Sequence, residues 1–488
     1  MIECKFDNKI ISSKLLLDDE KIIDKFIEKF NDLDAQIDNG HVKDIGKKIR
    51  NMLFPPNSQT EKVFVEAVKY VDRKNKDGKK YGLRILLNLD KTEQKFLDYP
   101  WEMMVHNEQF LAADITTPIV RILSGMNQKI MLDGREKHLL ALYSNIIGEY
   151  AVNTDDESQI ITDWCDKHKD IVKYDEVSKG VTRQKVKHKL LNNAFFNIIH
   201  FVGHGEFYED RKMGILAFRS DDPTQPPLDE VKHEEFLQII TNQKNLGLVV
   251  LNSCNTSLMS ERKSINSNFV GFVPALLQKI PAVIAMNRPI SSNAAISFVD
   301  GLYSRIFTAS IEEAMSMARS NMINSNCSAV DFCIPTLYLA HQNNKPVKEI
   351  FYSGLESVAI DLKYIQVNPL ETRRIFDRDW ESIVLRYDDI QLENIKPIAK
   401  ARSFWESDHE KVSRSFSQLI KELIKSGVSP DLKNHQIVKL FVEKLESLKK
   451  SLEEGNYEKF DTFRDETKNT KHSLDELIDS IILKWRKR

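Results

Sequence analysis

Two short stretches of the chain carry residues able to do chemistry. The first is Phe196-Asn-Ile-Ile-His-Phe-Val-Gly-His-Gly-Glu206, an apolar run that delivers His204 between two glycines. The second is Leu246-Gly-Leu-Val-Val-Leu-Asn-Ser-Cys254-Asn-Thr-Ser, an apolar run that ends in a polar turn carrying a thiol. A free cysteine titrates near about 8.5 and is only a few per cent thiolate at neutral pH, so it becomes a nucleophile beside a base or a cation. His204 is such a base and, once protonated, an acid for a leaving amine. The glycines flanking it suit a tight turn against which a peptide backbone can lie closely. The backbone N–H groups of Gly205 and Cys254 are candidate oxyanion donors, each worth about 2.7–4 kcal/mol in a transition state.

Taken singly, neither residue demands that reading. A cysteine at the end of a buried strand is usually an inert small hydrophobe, and a loop histidine is usually an ordinary polar residue. A metal reading of His200, His204 and Cys254 lacks an identifiable fourth ligand. His200 falls four residues before His204, on the same face by period-two alternation, and reads as a packing or supporting residue. The cysteines (Cys4, Cys165, Cys254, Cys327 and Cys333) are odd in number, scattered and without a CxxC pair. That argues against a disulfide framework and a structural zinc site. No metal or cofactor is expected.

The elements that must position these residues follow from the apolar patterning. Short runs at Leu83–Leu89, His138–Ser144, Phe195–Val202, Leu246–Leu251 and Ala282–Met286 alternate with helical stretches. The later runs are rich in Val, Ile and Leu, as strands buried on both faces are, which predicts an α/β fold: a mostly parallel sheet sandwiched by helices. In such a sheet ligands collect beyond the carboxyl ends of the strands, where His204 and Cys254 stand. Residues 218–230, with three prolines and four acids, read as an exposed loop. Upstream, 14–33 and a segment carrying Ile45, Ile49, Met52 and Leu53 read as helices of a small preface spanning 1–62. The main domain is expected over 63–345, in two parts meeting near 135–136, and a helical region over 346–488. There, three apolar stripes run over Val412–Ile424, Ile437–Leu452 and Leu474–Trp485, the first closed by Gly427 ahead of Pro430. Such faces must be buried against one another, the main domain or a partner.

Composition sets the outer bounds. The 488 residues are 41% hydrophobic and 29% charged, and 70 basic against 72 acidic side chains leave a net charge of −2. This offers no bulk attraction to nucleic acid or an anionic membrane. No GxxxxGK[ST] loop and no 30–50-residue repeat is present. The amino terminus lacks a charged-then-apolar leader and no stretch approaches the roughly 18 apolar residues of a membrane span. A reducing, cytoplasmic setting is expected.

The two stretches together resemble a known family. Ile199-His-Phe-Val-Gly-His-Gly205 and Val249-Val-Leu-Asn-Ser-Cys254 are similar to the two signature blocks of CHAT-domain proteases, relatives of caspases and separase, with the His about 50 residues upstream of the Cys. Leu97-Asp-Tyr-Pro-Trp-Glu-Met-Met104 resembles the family's Pro-Trp-Glu segment, and Val270–Met286 and Ala295–Ile306 resemble the helix, strand and next helix that follow the catalytic Cys. The resemblance spans about residues 63–343. It implies a caspase-like fold, a cysteine endopeptidase, His204 as general base and Cys254 as nucleophile. Met286-Asn287-Arg288 stands where the family often has an aromatic residue, and Asn-Ser-Cys254-Asn-Thr departs from the caspase Gln-Ala-Cys-x-Gly, so a caspase preference for Asp does not carry over. In such folds the first specificity pocket is built by loops after the catalytic strands, which makes Glu206, Glu209, Asp210 and Arg288 its candidates. Three acids against one base favour a basic or neutral residue before the scissile bond. The resemblance extends to prokaryotic antiviral defence effectors that cleave a companion protein, for example a gasdermin. Without a sensor of its own, the chain is expected to meet a separate activating protein through its terminal helical regions. A non-catalytic adaptor on the same fold is the alternative reading; a nucleotide- or metal-dependent enzyme is a more distant one.

Overall fold

The computed structural model describes residues 2–6, 9–13, 18–30, 37–76, 81–88, 94–124, 137–145, 154–178, 180–192, 195–208, 213–222, 228–243, 245–254, 272–288, 290–342, 345–346, 356–364, 369–392, 398–426, 428–429, 431–453 and 457–486. The chain forms two compact units, one holding Leu15–Tyr364 with Glu3–Ile11, the other Ile365–Arg488 with Met1–Ile2 and Ser12–Lys14.

Strands β1 (Ile2–Phe6) and β2 (Lys9–Ser13) precede helices α1 (Glu20–Phe30), α2 (Asn39–Leu53) and α3 (Gln59–Lys76). Then follow β3 (Tyr81–Asn88), α4 (Gln94–Asp98), the short pair β4 (Val105–His106) and β5 (Gln109–Phe110), and β6 (Ile119–Ser124). Next come β7 (Lys137–Tyr143), α5 (Asp155–Lys167), β8 (Val172–Val177), α6 (Arg183–Asn192), β9 (Ile198–Tyr208), β10 (Met213–Arg219), β11 (Leu228–Lys232) and α7 (His233–Ile240). The unit closes with β12 (Leu248–Cys254), α8 (Phe272–Leu277), β13 (Ala282–Met286), α9 (Ser292–Tyr303), α10 (Ile311–Asn324), β14 (Pro335–Gln342), β15 (Lys345–Pro346) and β16 (Glu356–Tyr364).

The expected α/β architecture is present. One mostly parallel sheet runs β9-β12-β13-β14-β6-β3-β16-β1-β2, with β7 and then β8 beyond β9 and the antiparallel pair β10-β11 on the outer half of β9. Within β8-β7-β9-β12-β13 every pairing is parallel, and β14 closes antiparallel on β13. The chain leaves β7 for β8 on one side and returns to β9 on the other, so a topological switch point, where open sheets bind ligands, falls between β7 and β9. Alternation sends successive residues of β9 to opposite faces. His200 meets Tyr303 of α9 on one face, and Phe201 stacks with Phe218 and, through it, Phe236 of α7 on the other.

Several sequence readings end differently. The 1–62 segment holds two strands as well as helices, the first helix covers 20–30, and the sheet continues past 345 because β16 pairs in parallel with β3. The stretch read as a loop at 218–230 is bounded by β10 and β11, which pair with each other, while 223–227 lies outside the described residues. In the second unit, α12 (Ile398–Lys425), α13 (Gln436–Glu453) and α14 (Tyr457–Arg486) carry the three stripes, and α11 (Pro369–Leu392) adds Phe376, Trp380 and Ile383 to their common core. Gly427 and Pro430 lie outside the described residues.

The Pro-Trp-Glu segment finds its physical reason inside the sheet unit. Glu102 is fully buried and meets Arg121 of β6 in a two-pronged pair, Nε to Oε1 at 3.0 Å and Nη2 to Oε2 at 2.7 Å. Two further guanidinium donors go to the carbonyls of Leu97 and Tyr99. Removing one partner strands the other without water. Glu102→Ala and Arg121→Met are each expected to destabilise the chain by about 3–5 kcal/mol, read as a lowered urea midpoint; an unchanged midpoint contradicts this anchoring.

Candidate active site

The histidine and cysteine positions are brought together by register. In the parallel ladder of β12 and β9, Leu248 pairs with Ile198, Val250 with His200, Asn252 with Val202, and Cys254 with His204. Register partners on parallel strands share a face of the sheet, so positions 204 and 254 lie side by side at the end of the ladder. His204 is only 6% exposed. It lies within β9, which continues to Tyr208, not in a turn after it.

That continuation changes the role of the flanking glycines. A Cβ on Gly205 would stand 2.9 Å from Ser253 Oγ and 3.4 Å from the Ile215 carbonyl. One on Gly203 would stand 2.9 Å from both Phe201 Cζ and Ser144 Cβ. The glycines are needed for close strand packing, which keeps His204 in line with position 254, and not for a turn. Gly205 also registers with Leu216 of β10.

The layer beneath is polar and buried. His200 Nδ1 lies 2.8 Å from the Tyr303 hydroxyl, and burial pushes the imidazole down to about 3, which keeps it neutral. Asn252 Nδ2 donates to Glu157 Oε2 at 2.6 Å, and burial pushes that carboxyl up to about 8 against the opposing pull of the hydrogen bond. Neither Glu157 nor Tyr303 stood out in the sequence. Asn252 lies within the Asn-Ser-Cys block, but an acid in a helix first turn reads as a solvated partner of the helix dipole.

The pocket candidates divide. Glu206 registers with Ile215 in the β9–β10 pairing, and Glu209 and Asp210 lie outside the described residues. Arg288 is 5% exposed, its guanidinium 4.2 Å over the Phe30 ring and donating to the Asp98 carbonyl, so its charge faces the domain interior. Burial lowers it to about 10. Among the described residues no group of three His, Cys, Asp or Glu side chains is placed to hold a metal, and no helix is long and apolar enough to cross a membrane.

A His and a Cys position are thus paired at the carboxyl end of a parallel ladder in an α/β sheet. The family described as CHAT domain matches residues 43–348, and the chain belongs to that family. Solved structures to which the chain is similar include the Arg-specific cysteine proteinase gingipain R of Porphyromonas gingivalis, 10% identical over 61% of this chain and 73% of that one with a TM-score of 0.35. The Drosophila initiator caspase Dronc is 8% identical over 48% and 86% with a TM-score of 0.30. The Saccharomyces cerevisiae separase–securin complex is 13% identical over 51% and 15% with a TM-score of 0.28. No curated protein matches the chain.

Close packing at Gly205 makes a specific demand. Gly205→Ala is expected to destabilise by about 1–3 kcal/mol, and Ser253→Gly in the same chain to recover much of that loss. A double-mutant cycle from denaturant unfolding checks it; strict additivity contradicts a direct clash.

Proposed function

We propose that the chain is an endopeptidase that works through a His204–Cys254 dyad. The observation that carries this reading is the pairing of those two positions in the β9–β12 register. In the reaction His204 takes the thiol proton and the thiolate attacks the scissile carbonyl carbon, whose oxygen becomes an oxyanion. The Cys254 and Gly205 N–H groups are the donors to that oxyanion in this reading. As the C–N bond breaks, the imidazolium protonates the departing amine, leaving an acyl-thioester. A water molecule, deprotonated by His204, then releases the acid and restores the thiol.

The substrate in this reading is a specific companion protein, cut after a basic or neutral residue that Glu206, Glu209 and Asp210 would favour. The acids carry that preference, because the Arg288 charge is committed to the interior. The family resemblance supports a cytoplasmic role in prokaryotic antiviral defence, with a gasdermin-type substrate as one example. A separate sensor protein would release the activity through the terminal helical regions, and neither nucleic acid nor membrane takes part.

A peptidyl acyloxymethyl ketone with Lys, Ala or Asp before the warhead tests the dyad. Modification of Cys254 is expected in the wild type, slowed about 10²-fold or more in His204→Ala and absent in Cys254→Ala, with unfolding midpoints unchanged. Because the two residues act as a unit, their losses of proteolysis are not additive in the double variant. Wild-type labelling rates in His204→Ala contradict the dyad.

A further inference from the structure

Glu157 is a carboxyl that the dyad chemistry does not use. It lies in the first turn of α5 beside Asp155 and Asp156, which are exposed, yet Glu157 itself is 6% exposed. Helix α5 follows β7, on one side of β9, whereas the partner of Glu157, Asn252, is on β12, on the other side. The 2.6 Å hydrogen bond therefore joins the helix that follows β7 to β12, the strand on the far side of the histidine strand. Asn252 is itself 2% exposed and stands two residues before Cys254 on the same face, roughly 7 Å along the strand.

We propose that Glu157 is a positioning residue that acts through Asn252 to fix the end of β12 carrying Cys254. The proposal rests on the dyad reading given above. A carboxyl pushed up to about 8 by burial is protonated at neutral pH, and a neutral acid can exchange a hydrogen bond with an amide in either orientation of that amide. Tyr303 of α9 faces it and is likewise held neutral by burial, and Asn252 of β12 carries no charge. Ionisation at higher pH leaves Glu157 acceptor-only and places a negative charge beneath the sheet, which opposes formation of a thiolate nearby. The linkage has a definite sign. The folded carboxyl holds its proton more tightly than the unfolded one, so its contribution to stability falls as pH rises from about 4.3 to 8 and is level above that.

The test is alkylation of the full-length chain with iodoacetamide, followed at Cys254 by peptide mass spectrometry between about pH 6 and 9. Glu157→Gln keeps the neutral shape and is expected to react within about twofold of wild type near pH 6.5 and roughly fivefold faster near pH 9. Glu157→Ala is expected to be slower at both. Coincident wild-type and Gln profiles, or a Gln variant as impaired as Ala near pH 6.5, overturn the proposal. Thermal unfolding of the same variants supplies a readout independent of the thiol: the Gln-minus-wild-type midpoint difference should widen between pH 5 and 8, and a constant difference overturns the ionisation. His204→Ala is the separating control. If it leaves Cys254 alkylation unchanged the dyad reading fails, whereas the Glu157 comparison still reports whether the carboxyl acts on the β12 end.

Discussion

The parallel pairing of β9 with β12 is the constraint on which the rest of the site depends. A shift of one residue would exchange the faces of every side chain on one strand, setting Ser253 in place of Cys254 opposite His204. Ile198, Ile199, Phe201, Val249, Val250 and Leu251 are almost wholly removed from water on the two faces, so a slip would have to repack both faces at once. Gly205 leaves room for Ser253 of β12, and Gly203 for Ser144 beyond β7, so β9 approaches both neighbours closely. Chemistry placed at the end of such a ladder inherits its precision.

Buried polar groups are used in two ways. Glu102 and Arg121 neutralise each other and tie the Pro-Trp-Glu segment to β6, with the backbone carbonyls of Leu97 and Tyr99 accepting two more of the guanidinium's bonds. In the helical unit, Lys471 bridges Asp377 and Asp475 and lies over the Phe376 ring, holding α11 against α14. Near the dyad, burial is applied to groups it leaves neutral: His200 on Tyr303, and Glu157 on Asn252. Charge is matched where the fold needs anchoring and suppressed beneath positions 204 and 254.

Strands β7, β9, β12 and β13 were legible because continuous Val, Ile and Leu runs bounded by turn residues have few other uses. The adjacency of positions 204 and 254 was legible because both close such runs, and the register pairs them. The hairpin partner β11 was hidden by the prolines before it, which dominate a local reading even though Leu228–Lys232 pairs with β10. Strand β16 was hidden because its apolar residues alternate with Ser357, Asp361 and Lys363, and its pairing with β3 spans more than 250 residues of chain. Arg288 read as a pocket residue because it follows a strand whose loop would help build the pocket; only tertiary packing on Phe30 takes it inside. Glu157 had no sequence signal, since its burial depends on how α5 crosses the sheet.

The account stands on one spatial claim, that the register of two strands makes a catalytic pair of residues distant in sequence. A crystal structure of the chain after reaction with a peptidyl chloromethyl ketone tests it most directly. The account predicts a thioether on Cys254 Sγ with the His204 imidazole within hydrogen-bond reach of the bound warhead, both at the carboxyl end of the β9–β12 ladder. An adduct on another residue, or His204 on the opposite face of the sheet from the modified sulfur, would contradict it.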